Sequence, residues 1–390
     1  MARAGLWLGG LGAASLLAMG NWFMQRDGSA GPMTRTYYIA ADEVIWDYAP
    51  SGTNQMASRP FNEVEKLFME PGDYVIGRKV KKAQYIQYTD STFATRVERA
   101  PEWEHLGLLG PLVRAVVGDT IRIVFRNNTS FPASMHPHGV FYEKDSEGAD
   151  YEDGTSGADK ADDGVAPGGT HVYVWPVPDR AGPTDHEGST AFWMYHSHTE
   201  EIRDIATGLT GPMIITRRGM ARADGSPTDV DRELIAGFLE YDENHSWYVE
   251  ENLRALAKKA DSIVVAPMAF GALAAGPQGD KFFRETINGY SYGHTPGLTM
   301  RVGQRVRWYI MASTFFEIHA PHWHGNVVTA DGMRTDVAAL LPMGMVVADM
   351  VPDNPGKWFF HCHVADHLRM GMQAYYTVEP GTAVANAQHP

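Results

Sequence analysis

Ten of the 16 histidines in this 390-residue chain fall in four short motifs, two in each half of the sequence. They are His136-Pro137-His138-Gly139, His196-Ser197-His198, His319-Ala320-Pro321-His322-Trp323-His324-Gly325 and His361-Cys362-His363-Val364-Ala365-Asp366-His367, with Met372 five residues further on. The halves also repeat each other between motifs: VVGDTIRIVFRN (116–127) and RVGQRVRWYIMA (301–312) each carry a turn, then a β-rich run, then histidines. Runs of β-branched and aromatic residues bounded by Gly, Pro, Asn and Asp recur at 36–49, 119–128, 171–178, 190–198 and 210–218. A second set lies at 233–242, 297–314, 345–352, 356–363 and 372–380. Such runs read as strands, and their duplication predicts an all-β chain of two Greek-key β-sandwich domains. The expected boundaries are 36–217 and 233–382, joined by a polar linker at 218–232 and followed by a tail at 383–390. Residues 250–260 predict a short helix, and the acid- and glycine-rich stretch 143–169 predicts an ordered excursion over one sandwich end.

A composition of 44% hydrophobic and 21% charged residues supports packed cores and excludes a disordered chain. The net charge of −14 argues against nucleic acid or anionic membrane as a partner and favours neutral or cationic small molecules. With Cys362 as the sole cysteine, no disulfide can form within the chain. Arg3 followed by an apolar run to Met19 predicts an export leader over 1–35, cleaved or retained as an anchor, hence a periplasmic or extracellular protein.

Strand parity sorts the histidines. Alternate residues of a strand face the same way, so His136/His138, His196/His198, His322/His324 and His361/His363 each share a face. Cys362 points opposite to its flanking histidines, and His319, three residues before His322, falls on that opposite face. One site therefore has eight imidazoles; the other has His319, Cys362, His367 and Met372. Cysteine, two histidines and a thioether form a blue-copper electron-transfer site, whereas zinc would give the thioether no role. Eight imidazoles exceed one copper and suit three, with two, three and three ligands.

These four motifs, in this order, resemble those of the multicopper oxidases, and they cover both halves of the chain. The resemblance implies cupredoxin-like sandwiches and four coppers per chain equivalent. Type 1 copper would be held by His319, Cys362, His367 and Met372, and type 2 by His136 and His322. The type 3 pair would take His138, His196 and His363 on one copper, and His198, His324 and His361 on the other. WEHLGLLGP (103–111), QYTDSTF (87–93), GLTGPMII (208–215) and YDENHSWYVEEN (241–252) are similar to ceruloplasmin and hephaestin modules. Two domains with the cysteine in the second are most similar to the two-domain enzymes, or small laccases. That likeness implies a homotrimer whose trinuclear clusters form between domain 1 of one chain and domain 2 of the next.

The implied reaction is O2 reduction to water by electrons from a phenol, Fe(II), Cu(I) or Mn(II), arriving through an exposed edge of His367 or His319. Tyr142 and Glu147, with Glu143 and Asp145 nearby, are candidates for proton supply. Glu317, Asp331, Asp336 and Asp366 are candidates for holding a metal-ion donor, and Met333, Met343, Met345, Met350 and Met370 for Cu(I). Asp159, Asp162 and Asp163 resemble the calcium loop of ceruloplasmin-like first domains. Two other functions compete. A copper nitrite reductase would need its cysteine in domain 1, where this chain has His-Ser-His. A non-catalytic ceruloplasmin-like binding module would not need complete ligand sets.

Overall fold

A computed structural model of the chain describes residues 31–73, 75–259, 282–313 and 317–381. Residues 1–30 of the expected leader and the tail at 383–390 lie outside the described residues.

The first half contains β1 (Thr34–Asp47), β2 (Lys79–Tyr88), β3 (Val113–Val116), β4 (Thr120–Asn127), β5 (His136–Pro137), β6 (Thr170–Pro176), β7 (Thr190–His196) and β8 (Thr210–Thr216). They form two sheets, β2-β1-β4-β6 and β3-β8-β7-β5. The second half contains β9 (Arg232–Asp242), β10 (Phe283–Ile287), β11 (Thr299–Arg301), β12 (Val306–Ala312), β13 (Pro321–Trp323), β14 (Met345–Met350), β15 (Gly356–Cys362) and β16 (Gln373–Glu379). Their sheets are β10-β9-β12-β14, extended by a hairpin of Val328–Ala330 with Met333–Thr335, and β11-β16-β15-β13. Each strand of the second half holds the place of the strand eight earlier. The parallel pairs match too, β1 with β4 and β9 with β12, β3 with β8 and β11 with β16. The repeat in the sequence is a repeat of topology.

Three expectations needed adjusting. The run 297–314 is two strands in different sheets, because Gly303 takes φ +81° and turns the chain between β11 and β12. The expected leader boundary falls inside β1, where Arg35 Nε donates to Asp119 Oδ2 at 2.7 Å. The strands β2 and β10 were not anticipated, because lysines and arginines interrupt their apolar pattern. Three short helices matter below: α1 (Glu201–Thr207), α2 (Val249–Leu256) and α3 (Ala365–Met370). α2 matches the helix expected at 250–260 up to Leu256. No helix among the described residues is long and apolar enough to cross a membrane.

Each sandwich has its own core, one around Ile123, Phe125, Tyr173 and Trp175, the other around Trp308, Trp323, Phe360 and Cys362. A third cluster joins them: Phe192, Met194 and Ile214 of the first half meet Ile235, Leu239, Tyr309 and Met311 of the second. These are the alternate residues of strands whose other face lines a sandwich core. Strands β8 and β12 are therefore buried on both faces.

Candidate metal centres

Pairing of β15 with β13 and β16 builds the first centre. Cys362 N–H donates to Met372 O at 3.2 Å, and His319 pairs with Leu340 just outside β13. The Cys362 sulfur lies 3.8 Å from His319 Nδ1 and 3.6 Å from His367 Nδ1, and those two nitrogens are 3.1 Å apart. His367 is brought round by α3, the turn of helix that follows β15. Met372 is buried in the same core. Burial, then the neighbouring His367, pushes His319 down to about 3, so its ring stays neutral. Two imidazole nitrogens converging on a thiol and packed with a thioether suit copper by donor softness. Contrary to expectation, neither histidine offers an exposed edge: His319 is 2% exposed and His367 5%.

The eight other histidines form two quartets. In the first, neighbouring rings of His136, His138, His196 and His198 have centroids 5.2 to 5.6 Å apart, Tyr142 stands 5.7 Å from His136, and His138 Nε2 faces His196 Nε2 at 3.1 Å. In the second, His324 Nε2 faces His361 Nε2 at 3.1 Å, with His322 and His363 packed against them. Backbone carbonyls orient three of these rings. His136 Nδ1 donates to Glu147 O at 2.7 Å, His196 Nδ1 to Ser197 O at 3.0 Å, and His361 Nδ1 to Cys362 O at 2.7 Å. Holding the proton on Nδ1 leaves Nε2 bare and aimed at its neighbours, the second-sphere arrangement of a metal-ligating histidine. Burial and neighbouring imidazoles push His138 and His361 down to about 4. Both quartets therefore fit copper. Among the described residues, no ring contact or hydrogen bond joins one quartet to the other.

The duplication also shows what the first half carries where the second has its cysteine, histidine and thioether. Ser197 occupies the place of Cys362, Ala133 that of His319, and Leu209, after Gly208, that of Met372 after Gly371. All three substitutes are fully buried. Domain 1 thus holds a hydrogen-bonded serine where a nitrite reductase would need its cysteine.

Tyr142 and Glu147 both stand beside His136, Tyr142 with its ring 5.7 Å away. The Glu147 carboxylate, however, is held by Lys144 at 2.6 Å, so only its carbonyl touches the ligand. Asp336 is not at the Cys362 centre; its Oδ2 lies 3.7 Å from His322 Nε2. Asp366 is solvent-exposed beside Arg369, and Asp331 sits in the turn of the added hairpin. The methionines do not cluster: Met333 is exposed, Met350 lies in the core, and Met343 and Met345 pack between domains. In the acidic excursion Asp162 and Asp163 are buried and Asp159 is not, so Asp159 does not join them. Asp162 Oδ1 has no partner, and the Lys160 ammonium is 3.1 Å from Asp163.

Three carboxylates went unnoticed in the sequence. Glu201 reaches His196 Nε2 at 3.7 Å and His198 Nε2 at 3.5 Å. Glu240 and Glu285 face each other across paired strands, and with one ring nitrogen of His367 their ligand atoms lie within 4.8 Å of one another. Burial and nearby acids, Glu317 among them, raise Glu240 to about 7 and hold Glu285 well above the carboxylate range. The available signal was an acid inside each of two otherwise buried strands, β9 and β10.

Residues 103–219 and 266–382 each match the multicopper oxidase family. The chain is 41% identical to human ferroxidase HEPHL1 over 361 residues, 92% of this chain and 30% of that protein. It is 39% identical to mouse hephaestin, covering 94% of the chain and 31% of the relative, and 37% identical to human ceruloplasmin, covering 90% and 33%. The chain thus spans about a third of the length of these relatives. Two solved multicopper oxidases share the fold, each at TM-score 0.54. One is 19% identical over 89% of both chains; the other, mgLAC, is 18% identical over 90% of this chain and 88% of its own. With its two cupredoxin-type sandwiches and copper-suited histidine sets, this chain belongs to the multicopper oxidase family.

Proposed function

We propose that the protein couples one-electron oxidation of a metal-ion donor, ferrous iron foremost, to reduction of O2: four Fe(II), O2 and four protons give four Fe(III) and two waters. The observation that carries this reading is the contact of Glu240 and Glu285 with His367. A hard cation favours paired carboxylates, and one held there touches a ligand of the Cys362 centre. Similarity to proteins named ferroxidases supports the same donor.

Copper in these sites would supply the one-electron steps and the site of O2 reduction. The chain supplies the route: Cys362 is bonded through its own backbone to His361 and His363, which belong to the second quartet. Carbonyls fix the imidazoles, and Tyr142, Glu201 and Asp336 line the quartets as candidate proton carriers, with Glu147 anchoring His136.

A full set of eight imidazoles requires the two quartets to meet. We read them as meeting between copies in a homotrimer, domain 1 of one chain against domain 2 of the next, a heterologous interface that closes as a ring. Mixing His138→Ala chains with His324→Ala chains tests it. Co-refolded rings regain oxidase activity, because one interface then holds eight intact histidines; inactive mixed rings overturn the interchain cluster. Asp162 and Asp163, without Asp159, are the proposed calcium ligands, and a melting temperature indifferent to EGTA removes that site.

The donor is tested by steady-state rates with Fe(II), Cu(I), Mn(II) and 2,6-dimethoxyphenol on copper-loaded protein. Glu285→Gln is expected to raise KM for Fe(II) about tenfold while the blue absorption stays unchanged. An unchanged KM refutes the metal-ion reading.

A further inference from the structure

Behind the first quartet lies a buried hydrogen-bond knot. The Ser197 hydroxyl, between His196 and His198, donates to Asp204 Oδ2 at 2.6 Å and accepts the Ser134 N–H at 3.0 Å. The same carboxylate oxygen accepts the Thr199 and Glu200 N–H groups at 3.1 and 3.0 Å. The Ser134 hydroxyl, two residues before His136, accepts the His198 N–H at 3.0 Å and donates to Gly148 O at 2.6 Å. Both histidine motifs of domain 1 therefore hang from one set of side chains.

The remaining oxygen of Asp204, Oδ1, accepts the indole N–H of Trp247 at 2.8 Å. Trp247 comes from the other domain, in the turn between β9 and α2. Its ring lies flat on Phe131 of domain 1, with centroids 4.9 Å apart and planes 5° apart, and the Arg203 guanidinium covers it at 3.6 Å. Its backbone N–H donates to the Thr207 hydroxyl at 2.9 Å. Ser134, Ser197 and Asp204 are all at 0–1% exposure, so water does not readily replace a lost donor.

We propose that Trp247 is an interdomain positioning residue. Through Asp204 and Ser197 its indole N–H sets the orientation of His196 and His198, so docking of domain 2 tunes the copper ligands of domain 1. This rests on the reading that the quartets hold copper. Without the N–H, the Asp204 carboxylate must turn toward another donor, and Ser197 turns with it.

Trp247→Phe removes the N–H and keeps a ring on Phe131; Phe131→Leu disturbs the stack and keeps the hydrogen bond. Metal-free full-length parent and variants are titrated with Cu(II) against a competing chelator, with electron paramagnetic resonance and visible spectra recorded. In Trp247→Phe the blue band is expected to persist, while copper outside the blue site binds about tenfold more weakly with altered hyperfine splitting. Phe131→Leu is expected to lower the melting temperature and leave copper affinity and splitting as in the parent. The proposal is overturned if Trp247→Phe binds copper like the parent, if its blue band falls in parallel, or if Phe131→Leu reproduces its copper defect. A parent that retains no copper outside the blue site refutes the quartet reading instead.

Discussion

One atom distinguishes the centres of the two matching strand ends: an oxygen at Ser197, a sulfur at Cys362. Restoring the sulfur is not enough, because Ala133 and Leu209 stand where His319 and Met372 would be needed. Ser197→Cys is therefore expected to give no second blue band, and absorption of the copper-loaded variant checks it. His105 shows another residue-scale effect. Its Nε2 accepts the Ile235 N–H at 3.1 Å across the domain boundary, and burial, then Arg232 and Arg99, push it from 6.5 to about 3. It stays neutral in the fold while the unfolded chain protonates near 6.5. Stability is thus lost as pH falls from about 6.5 toward 3, by at most about 5 kcal/mol. Urea midpoints across that range should fall less steeply in His105→Gln than in the parent; equal slopes remove the assignment.

At the scale of elements, the glycine that ends each His-x-His-Gly motif lets a strand of the next pair pass close by. Gly139 and Gly325 take φ +80° and +76°, and a Cβ on them would meet Trp193 at 2.3 Å and Trp358 at 2.4 Å. Those tryptophans occupy matching places on β7 and β15, three residues before His196 and His361. Alanine at either position strains both the backbone and the packing. Gly139→Ala is expected to cost about 1–3 kcal/mol in denaturant unfolding and to loosen copper held by the quartets while the blue absorption of the Cys362 centre persists. A blue band lost in parallel contradicts that local origin.

For the whole molecule, the domain interface combines apolar packing with buried charge. Lys82 and Glu243 pair at 2.8 Å with neither side chain exposed, and Tyr48 donates to the same carboxylate oxygen at 2.5 Å. Arg114 reaches Glu233 at 3.0 Å, and Arg307 reaches Ser189 at 2.8 Å and Thr190 at 2.9 Å. Breaking a buried pair leaves an uncompensated charge. Lys82→Met alone is expected to destabilise by about 3–5 kcal/mol, and Lys82→Met with Glu243→Leu by clearly less. A double variant as unstable as the two single changes summed would show that the charges are not coupled, and denaturant midpoints decide it.

Much was readable in one dimension because it depends on period and spacing. Period-two alternation placed Cys362 and His319 on the face opposite the eight other histidines, and the duplicated strand-and-motif order gave two β-sandwiches. What the sequence could not show were contacts between residues far apart in the chain. Glu240 and Glu285 meet His367 only because β9 pairs with β10 while α3 folds His367 back beside them. Asp336 lies 17 positions from His319 in sequence, yet pairing of Val337 with His322 carries it to the other centre. Trp247 reaches Asp204 only across a docked domain boundary. Ligand identity follows from local chemistry, which a sequence carries; the acids and aromatics around each ligand follow from which strands pack, which tertiary structure alone decides.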